Sequence, residues 1–67
     1  MYRWVYQAGN HWMPVDDASN VAIEQMYRSR WAGYITIYHN QKVYVDTPHL
    51  LLHFTNGVTA QIARTGY

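Results

Sequence analysis

Two short aromatic segments joined by a Gly-Asn turn constrain the fold more than any other stretch of this chain. Trp4 and Tyr6 precede Gly9-Asn10, and Trp12 follows it. Both turn residues tolerate the positive φ that a tight β-turn requires. Side chains alternate between the two faces of a strand, so Trp4 and Tyr6 share one face. The stretch predicts a β-hairpin whose rings either fill a core or form a binding surface.

The chain has 67 residues, enough for one domain, and we expect residues 1–67 to form a single unit. A domain of this size buries only about 60% of its unfolded surface, so bulky side chains matter for its stability. Three Trp, seven Tyr and one Phe supply that bulk. The absence of cysteine excludes disulfides and thiolate metal sites.

Five Lys or Arg residues against four Asp or Glu give a net charge of +1. This balance lacks the basic excess typical of nucleic-acid-binding proteins, so a nucleic-acid partner is not expected. The apolar runs are too short to span a bilayer, and no apolar segment follows Arg3 as it would in a signal peptide. We therefore expect an intracellular protein, cytoplasmic or nuclear, that does not contact membranes.

One helix is predicted after the hairpin, over Val21–Arg30. The polar run Asp16–Asn20 supplies candidate N-cap residues before it, and Ala32-Gly33 is expected to end it. A stripe at positions i, i+3, i+4 and i+7 predicts the side that packs on the core. That stripe consists of Ile23, Met26, Tyr27 and Arg30.

The rest of the chain favours β-strands. Tyr34–Tyr38 and Lys42–Asp46 flank a short turn at Asn40-Gln41, and the β-branched and aromatic residues of the first suit a half-buried sheet. After a break at Asp46-Thr47-Pro48, strands over Leu51–Thr55 and Val58–Ala63 flank Asn56-Gly57, a strong hairpin signal. The pattern predicts an α+β fold: about six strands in three hairpins, curved into a small half-open β-barrel with the helix on its concave side.

This pattern resembles the WWE domain family, which is named for two tryptophans and a glutamate. In this chain the two tryptophans are Trp4 and Trp12, and the glutamate is Glu24. Later features follow in the order typical of the family: a strand that contains Asp46, the Asn56-Gly57 turn and the ending Ile62-x-Arg64. The resemblance covers essentially the whole chain and implies the same half-barrel. It also implies a non-catalytic recognition module that works in ADP-ribosylation or ubiquitination.

WWE domains bind the iso-ADP-ribose unit of poly(ADP-ribose) at the open end of the half-barrel, so the resemblance implies an ADP-ribosylated protein or ADP-ribose-type ligand as partner. Position by position, Tyr6 corresponds to the ring that stacks on adenine. The other ligand-binding candidates are Met13, Tyr44, Gln61 and Arg64, with Lys42 as a further polar side chain at the rim.

Three positions depart from the family pattern. A tyrosine becomes Val43, the glutamine that reads the adenine edge becomes Leu52, and the phosphate-binding arginine falls near Ala60. Two hypotheses follow. In one, an ADP-ribose-type ligand stacks on Tyr6. In the other, the apolar substitutions close the mouth of the half-barrel, and the chain is a protein-interaction or structural module.

The hallmark residues are predicted to be structural. Trp4 and Trp12 are expected to fill the barrel, and Glu24 to accept a hydrogen bond from a backbone group or a Trp N–H. No nucleophile with a base and no pair of carboxylates is evident, so catalysis and catalytic residues are not predicted, and no cofactor is expected.

The histidines and the aromatic rings raise two further classes of site. The four histidines include His49 and His53, but residues four apart on a strand lie about 13 Å apart, too far for one metal ion. Aromatic rings on a small sheet also suit single-stranded nucleic acid, but that mode requires a positive groove along the backbone of the ligand. Neither a metal site nor a single-stranded nucleic-acid interface is the preferred hypothesis.

Overall fold

The computed structural model describes residues 2–66 and contains six strands and one helix. In chain order these are β1 (Tyr2–Ala8), β2 (His11–Pro14), α1 (Asp17–Ser29), β3 (Ala32–Ile37), β4 (Gln41–Asp46), β5 (Leu51–Phe54) and β6 (Thr59–Gly66). All strand pairs are antiparallel. The predicted α+β class, the six strands and the single helix after the first hairpin are confirmed.

The strands form one open sheet in the order β2-β1-β6-β5-β4-β3. β2 and β3 are therefore the two edge strands. The register pairs Tyr6 with Ile62 and Leu52 with Ala60, so side chains that share a face can be followed across the sheet. We call the face that packs on α1 the helix-side face, and the opposite one the outer face.

The core lies between the helix-side face and α1. The sheet contributes fully buried Trp4, Val43, Val45, Leu52 and Ile62, and the helix contributes Ile23 and Met26. The predicted helix stripe is correct for Ile23 and Met26. Tyr27 lies at the margin of the core: it is 43% exposed, but its ring meets that of Trp4 edge-on at 5.2 Å. The stripe is wrong for Arg30, which is exposed because the helix ends at Ser29 and Arg30 takes a left-handed conformation as its C-cap.

The helix begins four residues earlier than predicted because Asp16 caps it. The Asp16 carboxylate accepts hydrogen bonds from the Ser19 N–H and hydroxyl. It also accepts from the Tyr38 N–H at 2.8 Å, which joins the start of α1 to the turn after β3. Tyr38 and His39 both have positive φ, which is uncommon for residues other than glycine. The Asp16 bond holds this turn in place.

β3 also begins earlier than predicted, at Ala32. Gly33 was expected to end the helix, but it lies inside β3 beneath the ring of Trp31. A Cβ atom at Gly33 would lie 3.0 Å from that ring. The backbone of Trp31 is itself held, because its N–H donates to the Met26 carbonyl at 2.9 Å and its carbonyl accepts from the buried Thr47 hydroxyl at 2.5 Å.

Candidate functional site

A buried carboxylate, Glu24, connects three distant parts of the chain. One oxygen accepts hydrogen bonds from the Trp4 indole N–H at 2.9 Å and from Arg64 Nε at 2.8 Å. The other accepts from Arg64 Nη2 at 3.1 Å and from Arg28 Nε at 2.9 Å. The predicted contact between Glu24 and a Trp N–H is thus present. Charge-assisted bonds of this kind are the stronger hydrogen bonds of proteins.

The pKa of Glu24 is lowered from 4.5 to about 2. The hydrogen bond from Arg64 is the main cause, and burial opposes it by disfavouring the charged form. Bonds from Trp4 and Arg28 lower the pKa further. Glu24 therefore stays ionised down to strongly acidic pH, and it serves as a fixed acceptor between β1, β6 and α1.

Arg64, a predicted ligand-binding residue, is committed to this cluster. Its guanidinium forms two bonds with Glu24 and lies 5.1 Å from the centre of the Tyr2 ring. Glu24 also raises the pKa of Arg64. A phosphate at this position would have to compete with a buried carboxylate for the same donors.

Tyr6 and Met13 lie opposite each other on β1 and β2, on the helix-side face near its open end. Tyr6 is half-buried, and its ring meets Phe54 edge-on at 6.1 Å between centroids. Tyr38, which sequence reasoning did not select, is the third aromatic residue here, and its hydroxyl donates to the Pro14 carbonyl. Burial, together with the neighbouring Tyr6 hydroxyl, raises the pKa of Tyr38 to about 12. We call Tyr6, Met13, Tyr38 and Phe54 the mouth cluster.

The residues at the three departures from the WWE pattern are all buried in the core. Val43 and Leu52 are fully buried, and Ala60 is nearly so. The side chains at these positions therefore belong to the core, and they offer no hydrogen-bond donor or acceptor to a ligand at the mouth cluster.

The cations of the chain also lie away from the mouth cluster. Arg28 and Arg64 bind Glu24, Arg3 binds Asp17 at 3.2 Å, and Lys42 lies on the outer face. Arg30 caps the far end of α1, about 20 Å along the helix from Asp16. What the mouth cluster offers a ligand is apolar surface and two phenol hydroxyls.

Tyr44 and Gln61, two other predicted ligand-binding residues, do not join Tyr6. The strand register places both on the outer face, because their neighbours Val43, Val45, Ala60 and Ile62 point into the core. The prediction that these side chains line one site with Tyr6 is wrong. Strand alternation is the reason: Val43 occupies the inward position, and Tyr44, one residue further, must face outward.

Tyr44 belongs instead to an aromatic row across the outer face. Its ring lies 5.0 Å from that of Tyr34 on β3 and 5.9 Å from that of His53 on β5. Lys42 Nζ lies 4.7 Å from the centre of the Tyr34 ring. Neither Tyr34 nor His53 was a ligand-binding candidate from the sequence. The turn expected at Asn40-Gln41 would have placed Ile37 opposite Tyr44, whereas the structure pairs Ile37 with Gln41 and therefore Tyr34 with Tyr44.

Trp12 is not a core residue, contrary to the prediction. Its side chain is 46% exposed, whereas Trp4 is fully buried. The two-residue turn pairs Trp12 with Gln7 on β1, and Gln7 lies on the face opposite to Trp4 and Tyr6. Trp4 and Glu24 alone of the three hallmark residues are part of the buried structure.

Two histidines form local polar contacts. His49 Nδ1 lies 2.9 Å from the Asp46 carboxylate, and His53 Nδ1 lies 3.3 Å from the Thr59 hydroxyl. Across residues 2–66, no group of three or more His, Asp or Glu side chains is placed to hold a metal ion. None of the helical residues in this range forms a segment long and apolar enough to cross a membrane.

Comparison of the chain with protein-family models, with curated proteins and with solved structures gives no match. The resemblance to WWE domains therefore stays a prediction from the sequence, and the function has to be argued from the side chains themselves.

Proposed function

We propose that this chain is a non-catalytic recognition module of WWE-like, half-open barrel architecture that binds a protein partner and has lost the ADP-ribose site. The observation that carries this proposal is the burial of Val43, Leu52 and Ala60. At these positions the resemblance implies polar groups that contact the ligand. In this chain the three positions carry apolar residues that complete the core.

The chemistry of the mouth cluster supports the same conclusion. A pyrophosphate requires charge-assisted donors, and each such hydrogen bond contributes about 1.5–3 kcal/mol. Arg64 is held by Glu24, and Lys42 lies on the other face of the sheet. An ADP-ribose ligand stacked on Tyr6 would leave its charge without a partner.

The exposed aromatic surface favours protein recognition. Tyr34 and Trp31 are 64% and 59% exposed, and rings of this kind are enriched where proteins bind each other. The aromatic row on the outer face would also suit stacked bases, but among residues 2–66 Lys42 is the one cation that lies over a ring of this row. Because single-stranded nucleic acid requires a continuous positive groove, a protein partner fits this surface better. The resemblance places such a module inside the cell, in the ubiquitin or ADP-ribosylation machinery.

The proposal is tested by titrating iso-ADP-ribose into the ¹⁵N-labelled chain and following amide and side-chain shifts by NMR. We expect no saturable shift at Tyr6, Met13 or Phe54 up to millimolar ligand. The same titration with AMP controls for non-specific stacking. Saturation below millimolar iso-ADP-ribose, abolished in a folded Tyr6→Ala variant, would instead establish an ADP-ribose-binding module and overturn the proposal.

A further inference from the structure

The outer edge of β3 is open over residues 32–35; beyond them α1 reaches the edge, where the Ser19 hydroxyl donates to the Thr36 carbonyl at 3.3 Å. β3 pairs with β4 on one side, and no strand within residues 2–66 pairs with its other side. An edge strand presents a row of unpaired N–H and C=O groups, and many proteins block that row with Pro, Lys or a very short strand. β3 is six residues long and contains neither Pro nor a charged residue. The other edge strand, β2, has four residues and ends at Pro14.

An apolar groove runs beside this edge, between β3 and the C-terminal half of α1. Its volume is about 330 Å³, and its walls carry no charged side chain: they are Ala22, Gln25, Met26, Ser29, Trp31 and Ile35. The indole of Trp31 lies against Gly33 and is 59% exposed. A backbone edge and an apolar groove are therefore adjacent, a combination that offers main-chain pairing and side-chain pockets to one ligand.

We propose that this edge and groove bind an extended segment of a partner protein, which adds as a strand to β3. The inference rests on the proposed function and specifies the surface that performs it. The added strand is antiparallel, as are all other pairs of the sheet. Because every second side chain of a strand points to the same face, alternate residues of the segment enter the groove, and apolar side chains fit its walls.

A free extended segment fits this site better than a second copy of the chain. Suppose that the β3 strands of two copies paired edge to edge. The side chains that the second copy directed at the groove of the first would then be those on its own helix-side face. Ile35 and Ile37 on that face already pack against the core. A segment that fills the groove must therefore have side chains on its groove-directed face that are not already packed in a core of its own.

The absence of charge in the groove defines the partner further. None of the six side chains that line it is charged, and Arg30, two residues before β3, lines a different pocket with Thr47 and Leu50. Because burying an unpaired charge is costly, the best-fitting segment has uncharged, apolar side chains at the alternate positions that enter the groove.

The test uses the full chain and a phage-displayed library of random ten-residue peptides. We expect enrichment of peptides with apolar residues at alternate positions and no charged residue among those positions. Synthetic copies should shift the amides of Ala32–Ile37 and the indole of Trp31 in NMR spectra. Trp31→Ala should weaken binding at least tenfold. Trp12→Ala, the same change at the exposed tryptophan of the other edge strand, should alter it less than twofold.

A second groove variant keeps the test decisive if Trp31→Ala perturbs the fold. Ser29→Trp fills the groove from the helix without touching the sheet, and it should also weaken binding at least tenfold while the spectrum of the free chain stays folded. Val21→Trp, on an exposed helix position away from the groove, is its matched control.

Three results would overturn the inference. The library could yield no enrichment above that on the Trp31→Ala variant. Selected peptides could shift only the mouth cluster or the outer-face row of Tyr34, Tyr44 and His53, in which case protein recognition stands and the groove assignment falls. Light scattering could show a dimer whose formation shifts the β3 amides. The proposed function fails on a different result, namely saturable binding of iso-ADP-ribose at Tyr6.

Discussion

Arg64 on β6 and Glu24 on α1 form a two-bond ion pair, with Nε 2.8 Å from one carboxylate oxygen and Nη2 3.1 Å from the other. Trp4 on β1 donates to the same carboxylate. A residue that could have bound phosphate is therefore used to join the last strand to the helix. Both Glu24 and Asp16, which caps α1 at its N-terminus, are expected to stabilise the fold.

Glu24→Ala is expected to reduce the free energy of unfolding by about 3–5 kcal/mol, because it leaves Arg64 and the Trp4 N–H without their acceptor. Urea unfolding followed by tryptophan fluorescence measures the change. Arg28→Ala is the control: Arg28 binds the same carboxylate, but its side chain is 69% exposed, and such pairs contribute about 0–1 kcal/mol. Equal effects of the two substitutions would contradict the central role of Glu24.

Acid should destabilise the protein through the same carboxylate. The pKa of Glu24 is about 2 in the folded chain against an ordinary value of 4.5. A lowered pKa contributes stability above pH 4.5, and that contribution is lost as pH falls towards 2, on the order of 3 kcal/mol in total. Unfolding measured between pH 6 and 2 should show a shallower decline in Glu24→Gln. Asp16 accounts for part of the decline that remains, because its pKa is also lowered. Burial alone would raise the pKa of Asp16, but the hydrogen bonds that it accepts from Tyr38 and Ser19 outweigh that effect. An unchanged slope in Glu24→Gln would refute this assignment.

Asp16→Ala should cost about 1–2 kcal/mol, since it removes the N-cap of α1 together with the bond to the Tyr38 N–H. Asp17→Ala is the matched variant one residue along: its side chain is 95% exposed and bonds only to Arg3. We expect a change within about 0.5 kcal/mol for that variant. Thermal unfolding by circular dichroism compares the two. A small effect at Asp16 would mean that the turn at Tyr38 holds its conformation unaided.

Alkaline pH should weaken the mouth cluster. The pKa of Tyr38 is raised to about 12 from an ordinary 10.0, so its contribution is complete below pH 10 and is lost as pH rises through 12. Tyr38→Phe should remove this dependence, and it should also cost about 1 kcal/mol at neutral pH by leaving the Pro14 carbonyl unbonded. Tyr6→Phe should lower the Tyr38 midpoint, which ¹³Cζ shifts of labelled tyrosine report. No movement of that midpoint would argue against contact between the two hydroxyls.

Much of the fold was predictable because the local signals agree. Strand alternation, the turns at Gly9-Asn10 and Asn56-Gly57, and the acidic run before the helix all predict elements that the structure contains. The face of Trp12 was predictable as well: a two-residue turn pairs it with Gln7, which already lay on the face opposite to Trp4. The expectation that both tryptophans are core residues ignored that register.

The rest of the candidate site depends on long-range contacts that leave no local signal. Tyr38 reaches the mouth cluster through a positive φ that the sequence disfavours and that Asp16, 22 positions away, supports. Gly33 has the appearance of a helix stop, but it makes room for the Trp31 ring. Arg64 has the appearance of a free cation until the fold brings Glu24 to it, 40 positions away. Tertiary packing decided each of these cases.

The pairing of the first strand with the last has a consequence for how the chain acquires its structure. Tyr2 lies opposite Gly66, and β1 and β6 are neighbours in the middle of the sheet. The hairpin of β1 and β2 cannot join the remaining strands until nearly the whole chain is available, and closing so long a loop is slow. We therefore expect folding to be limited by this final closure, with Trp4 fluorescence changing only as β6 docks. On a ribosome, this sheet would stay incomplete until β6 had emerged.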